Sequence, residues 1–188
     1  MIKQVDLIIT PRWIFSAIDS VVLEKTSIVV DNGNILELIP NEIIEQKYAA
    51  KASFNLADHL LLPGLINAHT HAAMSLFKGY ADDLTLQSWL TDRIWPAEKK
   101  YVDEKFVTEG SKLAIAEMIQ SGITTFNDMY FYPQQTAEVA VKIGMRANLG
   151  MVLLEFPTNY ASDPDDYLTK GLAFRDLFRE EGLISTSL

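Results

Sequence analysis

His69 and His71 stand two residues apart in the stretch LLPGLINAHTH (61–71), and the only other histidine, His59, lies just upstream. On a β-strand, residues i and i+2 share a face, so this pair presents two imidazoles side by side. Two neutral imidazoles at that separation can ligate one divalent metal ion. The plainer alternative is a pair of surface or hydrogen-bonding histidines. The apolar run ahead of the pair predicts a buried strand, where polar rings need partners, and this favours metal ligation. His59 is separated from the pair by Pro63 and reads as a surface or interlayer residue. Two imidazoles alone fall short of a catalytic metal site, which needs at least three protein ligands and a water.

The elements that must position this pair change texture near residue 62. VDLIIT (5–10) and TSIVV (26–30) are short β-branched runs. Asn32-Gly33 separates the second from the alternating ILELI (35–39), a strong hairpin signal. A short helix is expected at 41–50. Residues 1–62 therefore form a small N-terminal β-layer. From 63 onward the pattern alternates. A strand at 61–71 starts beside Pro63, and a helix at 103–121 is closed by Gly122. A strand at 123–130, a helix at 133–144 and a strand at 145–154 follow. A helix at 167–181 and a strand within 182–188 complete the alternation.

Strand–helix alternation implies a parallel sheet with crossover helices. A full (β/α)8 barrel needs about 250 residues, and residues 63–188 supply about half of that. The expected fold is thus α/β: the first half of a (β/α)8 TIM-type barrel preceded by a small N-terminal β-sandwich layer. A small open sheet is the alternative. In either case His69 and His71 fall at the C-terminal end of the first parallel strand, where such folds place their chemistry.

Composition narrows the classes. A net charge of −9 argues against nucleic-acid and anionic-membrane surfaces. The absence of cysteine excludes disulfides and thiolate ligands. No basic segment followed by an apolar run opens the chain, and no stretch approaches the ~18 apolar residues of a membrane span. A cytoplasmic protein without nucleic-acid or membrane partners is expected.

PGLINAHTH resembles the first barrel strand of the amidohydrolase superfamily. MSLFKGYADDLTLQSWLTDRIWPAEKKY (74–101) and SGITTFNDMYFYP (121–133) resemble its branch of 5-methylthioadenosine/S-adenosylhomocysteine deaminases and triazine (TRZ/ATZ) hydrolases. The resemblance implies metal ligation by His69 and His71, and a ribose-holding role for Glu98, whose carboxylate can accept two hydrogen bonds from a vicinal diol. It implies a divalent metal ion, zinc first and iron as the alternative. Trp89 and Trp95 are either an apolar wall beside the nucleoside or core residues. Asp128 is expected to be a structural hydrogen-bonder. Relatives that take S-adenosylhomocysteine carry an arginine after the third strand, where Gly150 and Met151 stand here. Arg146 is a poor substitute, and the departure leans toward 5-methylthioadenosine or a simpler nucleoside.

No catalytic acid or base is expected within these residues. The remaining ligands and the acid/base group are expected beyond Leu188. The resemblance thus implies the N-terminal part of a metal-dependent aminohydrolase. In that reaction, water activated by the metal replaces the purine 6-amino group and a carboxyl group carries a proton to the departing ammonia. The alternatives are a triazine or pyrimidine-ring hydrolase of the same branch, and a non-catalytic half barrel that needs a partner chain. A half barrel leaves strand edges unpaired, so a homo-oligomer or an aggregation-prone chain is expected.

Overall fold

Asn32 and Gly33 both adopt left-handed backbone, with φ of 49° and 74°, and Asp31 pairs with Asn34 across them. This is the two-residue hairpin that Asn-Gly predicts. It belongs to the first of two units in the computed structural model, which describes all 188 residues and divides into Met1–Pro63 and Gly64–Leu188. The first unit is one five-stranded sheet: β1 (Lys3–Ser16), β2 (Val21–Glu24), β3 (Thr26–Asp31), β4 (Asn34–Pro40) and β5 (Tyr48–Leu61). β2 and β3 pair antiparallel with β1, and β5 pairs parallel with it. Val5, Ile8, Val29 and Ile39 form its small core.

The helix expected at 41–50 is shorter than the sequence suggests. A 3-10 turn at Asn41–Ile43 runs into α1 (Ile44–Lys47), and Tyr48 already begins β5. Tyr48 and Ala49 pair with Lys3 and Gln4, so tertiary pairing overrides local helix propensity.

The second unit carries a parallel sheet in the order β6-β7-β8-β9, from Leu65–Thr70, Ile123–Met129, Arg146–Gly150 and Ile184–Ser187. Between β6 and β7 lie a 3-10 segment (Ala72–Phe77), α2 (Leu86–Trp89), a π-helical turn (Leu90–Ile94), α3 (Trp95–Tyr101) and α4 (Glu104–Gln120). α5 (Pro133–Ile143) and α6 (Pro164–Leu177) connect the later strands. Asp103 caps α4 by accepting from the Phe106 N–H, and Asp163 caps α6 by accepting from the Asp166 N–H. Phe126, Ala147, Leu149 and Ile184 of the sheet pack with Ile115, Ala140 and Phe174 of the helices. No helix is long and apolar enough to cross a membrane.

Three boundaries differ from the sequence reading. The strand expected at 61–71 is confined to Leu65–Thr70, with Leu65 and Ile66 56% and 70% exposed. This strand is not buried as its apolar run suggested: it is an edge strand, paired only with β7, and no element covers Leu65 and Ile66. The strand expected at 145–154 ends at Gly150, and the apolar residues beyond it pack as loop: Val152 joins Ala161 and Tyr167 in a cluster of their own. The helix expected at 167–181 begins three residues earlier and ends four earlier, its start set by the Asp163 cap with Pro164 in the first turn.

Candidate active site at the strand ends

β6 delivers His69 as its penultimate residue, and His71 follows the strand directly. Their rings stand 5.1 Å apart, edge to face. The i, i+2 spacing therefore brings the two imidazoles together as the sequence predicts, although the strand itself stops between them. His69 is exposed and His71 half-buried.

His71 is fixed by a neighbouring strand end. Its Nδ1 lies 2.7 Å from the Met129 carbonyl oxygen. A carbonyl can only accept, so Nδ1 is the donor and Nε2 is the ring nitrogen this bond leaves free. That is the hydrogen bond by which metal-ligating histidines are usually held. The chain beyond His71 is fixed as well. Asp128, 2% exposed, accepts from the Ala72 N–H at 2.6 Å. Burial pushes the Asp128 carboxyl up to about 6, against the pull of that N–H and of His71. Asp128 thus holds backbone, as expected of it. α4 presses on the same segment at Gly110, where a Cβ would sit 2.7 Å from the Ala73 Cα. The donor set fits a divalent ion as two imidazole nitrogens, and no group of three or more His, Asp and Glu side chains gathers to hold one.

A cavity of about 640 Å3 lies on the far side of Glu98, and neither histidine lines it. α3 contributes Trp95, Glu98, Lys99 and the adjoining Val102; the β7–α5 loop contributes Phe131; the segment after β8 contributes Leu154 and Phe156 to Asn159. Trp95 faces Phe156 with ring centres 6.3 Å apart. Trp89 is not among the lining residues. The wall is apolar except at Glu98, Lys99 and the 158–159 turn, which suits a flat, partly apolar ligand held by few polar groups.

Glu98 is not a solvated helix-end charge. It is half-buried, and its Oε1 accepts from the Tyr130 hydroxyl at 2.8 Å. Burial raises its carboxyl above the ordinary range, while the Tyr130 hydrogen bond and His71 work against that rise. Tyr130 in turn stands 6.4 Å, ring centre to ring centre, from His71. One chain of contacts therefore runs from the histidine pair through Tyr130 to Glu98.

The outer wall is tied down by Asn159. Its Nδ2 donates to the carbonyls of Lys99 and Val102, both at 3.0 Å, and its own carbonyl accepts from the Tyr132 hydroxyl at 2.7 Å. Tyr132 holds left-handed backbone, φ 53°, on entry to α5, a strained conformation for a residue with a Cβ. Tyr130, Phe131, Phe156 and Asn159 were not singled out in the sequence. The one signal that points to the first two is their place just beyond the C-terminal end of a parallel strand.

No arginine reaches the cavity from the end of β8. Arg146 sits exposed at the opposite end of that strand. A side chain at Gly150 would meet the Met129 side chain at 3.2 Å, and the Met151 side chain lies close to Gly171 of α6.

A parallel α/β sheet with paired histidines and a cavity at its C-terminal strand ends is a scaffold for ligand binding and catalysis. The chain belongs to the amidohydrolase family, whose family model matches residues 60–184. It is 48% identical over 181 residues to the 5-methylthioadenosine/S-adenosylhomocysteine deaminase of Saccharophagus degradans, covering 96% of this chain and 41% of that protein. It is 44% identical over 133 residues to the 5'-deoxyadenosine deaminase of Methanosphaera stadtmanae, covering 71% and 30%. The crystal structure of an adenosine deaminase from Xanthomonas campestris with bound zinc superimposes with a TM-score of 0.97 at 38% identity, over all of this chain and 43% of that one. The atrazine chlorohydrolase of Arthrobacter aurescens, complexed with zinc, shares the fold at a TM-score of 0.82 and 19% identity, over 97% and 46%. The chain thus spans about two-fifths of the length of the curated relatives it matches.

Proposed function

We propose that this chain is part of a metal-dependent aminohydrolase that removes the 6-amino group of an adenine nucleoside. The observation that carries the reading is Glu98: a half-buried carboxylate on the wall of a 640 Å3 cavity, linked through Tyr130 to the histidine pair. The names of the relatives in Saccharophagus degradans and Methanosphaera stadtmanae support it.

In this reading His69 and His71 hold one divalent ion, zinc before iron, with His71 offering the nitrogen that its bond to Met129 leaves free. The ion, when bound, activates water for attack at the purine ring. Glu98 accepts from the ribose diol and so aims the base at the histidines. Trp95 and Phe156 cover an apolar part of the ligand and exclude water from it. Further ligands and the proton-transferring group come from elsewhere in the active protein. We read the four parallel strands as the first four of a (β/α)8 barrel, and residues 1–62 as a layer of a composite β-sandwich.

The substrate is 5-methylthioadenosine or a simpler nucleoside rather than S-adenosylhomocysteine. Lys99 is the one cation in the cavity lining, and no arginine follows β8, where Gly150 and Met151 stand, to meet an amino-acid carboxylate in bidentate fashion. A cytosolic homo-oligomer acting on small molecules completes the proposal.

The test is the ultraviolet spectrum of adenosine and 5-methylthioadenosine during incubation with the protein as its source makes it. Conversion to the hypoxanthine spectrum supports the reading, and no change with any adenine nucleoside refutes it. Glu98→Gln should lower kcat/KM for a ribosyl substrate by about tenfold or more, since a charged acceptor is lost. It should matter little for a triazine ring, which has no diol.

A further inference from the structure

We propose that Tyr130 is a positioning residue that aims Glu98 at the ribose diol; the inference rests on the nucleoside reading above. Its hydroxyl donates to Glu98 Oε1 at 2.8 Å. The other oxygen, Oε2, has no partner within the protein, and no buried side-chain oxygen or nitrogen lacks one, so Oε2 is the free acceptor of the pair. Glu98 lines the cavity. A glutamate on a helix surface samples many rotamers, and binding through it would cost that freedom. With one oxygen held, the carboxylate presents the other in a single direction before the ligand arrives.

The anchor itself is rigid. Tyr130 is 5% exposed and packs among Ala73, Val102 and Val107, and its ring tilts against Phe131 at 5.2 Å. It cannot follow Glu98 if that side chain swings away. The Tyr130 ring also stands 6.4 Å from the ring of His71. One side chain therefore sets the spacing between the acceptor of the sugar and the histidines at which the base must arrive. Effective catalysis depends on that kind of fixed separation.

Tyr130→Phe removes one oxygen and keeps the ring, and its melting temperature checks the fold. KM for adenosine should rise about tenfold, the effect of losing one charge-assisted hydrogen bond, with kcat within about twofold of the unchanged protein. With 2',3'-dideoxyadenosine, which offers no diol, the same variant should match the unchanged protein. In a Glu98→Gln background, Tyr130→Phe should add nothing for adenosine. Equal losses on both substrates, or no loss on adenosine, would overturn the inference and leave the deaminase reading standing. No turnover of any adenine nucleoside by the unchanged protein would overturn that reading and this inference with it.

Discussion

His71 donates from Nδ1 to the carbonyl oxygen of Met129, 2.7 Å away across 58 residues of sequence. The bond joins the ends of two neighbouring parallel strands and fixes which imidazole nitrogen is free. If that nitrogen ligates a metal, His71→Ala should lower zinc affinity by about a hundredfold or more, beyond the loss typical of removing a supporting group. His69→Ala should do the same. His59→Ala, an exposed position on β5, should leave affinity unchanged. Metal content after dialysis against a competing chelator measures all three, and retention by the His71 variant would remove the ligand assignment.

Gly110 decides how α4 meets the segment after His71. Helix propensity alone favours alanine over glycine by about 1 kcal/mol. Here the added Cβ would overlap the Ala73 backbone, and backbone cannot turn aside as a flexible side chain does. Overpacking of this kind costs about 1–3 kcal/mol, so Gly110→Ala should lower the melting temperature rather than raise it. Because Ala73 follows His71 so closely, zinc affinity should fall with it. A thermal melt and the same chelator competition provide the two readouts, and a stabilised variant would show that α4 can shift freely.

The HxH pair and the Asn32-Gly33 hairpin were legible because local chemistry writes them: strand parity brings the imidazoles together, and left-handed backbone wants Asn-Gly. β5 was not legible. KASFNLADHL carries charge and little alternation, and it is held as a strand by pairing with β1 some forty residues away. The run MVLL misled in the other direction. Its apolar residues line a loop cluster and the cavity rather than extending β8. The start of α6 was read three residues late, although Asp163 and Pro164, a cap and a first-turn proline, mark it locally. Glu98, followed directly by Lys99 and Lys100, reads locally as a solvated helix-end charge; Tyr130, 32 residues on, meets it in the fold. Such pairings follow from topology, and no window of sequence contains them.

The start of α6 should respond to acid. Asp163 is held below the ordinary carboxylate range first by the Asp166 N–H and then by the Ser162 side chain. Asp166 is held below it first by the Ser162 N–H and then by Lys170. A depressed folded-state pKa means that the stabilisation is present above the unfolded value, about 3.9, and is lost as pH falls through the folded value. The carboxyl carbon resonances of both residues should therefore titrate below pH 3.9. Asp163→Asn keeps a capping oxygen and should reduce the loss of α6 helicity on acidification. Inflections at or above 3.9 would contradict the assignment.

Asn159 closes the cavity wall through a single amide nitrogen. Its Nδ2 faces the carbonyls of Lys99 and Val102 at 3.0 Å, with that of Glu98 a little farther at 3.4 Å. They lie at the C-terminal end of α3, where the last acceptors lack intrahelical partners; the Glu98 carbonyl already accepts from the Val102 N–H. Asn159→Ala should leave them to water and free the 155–160 segment, at a cost of about 1–3 kcal/mol where the Val102 carbonyl is partly buried. Asn159→Asp should be worse than alanine, although it is nearly isosteric, because it sets a charged oxygen against carbonyl oxygens. Limited proteolysis should cut within 155–160 faster in the order Asp, Ala, Asn. If Phe156 is held in the wall by this clamp, KM for a nucleoside should be highest for the aspartate variant, lower for alanine and lowest for the unchanged protein, while metal affinity at His71 stays unchanged. An aspartate variant as resistant as the unchanged protein would show that the segment is held by its aromatic contacts instead.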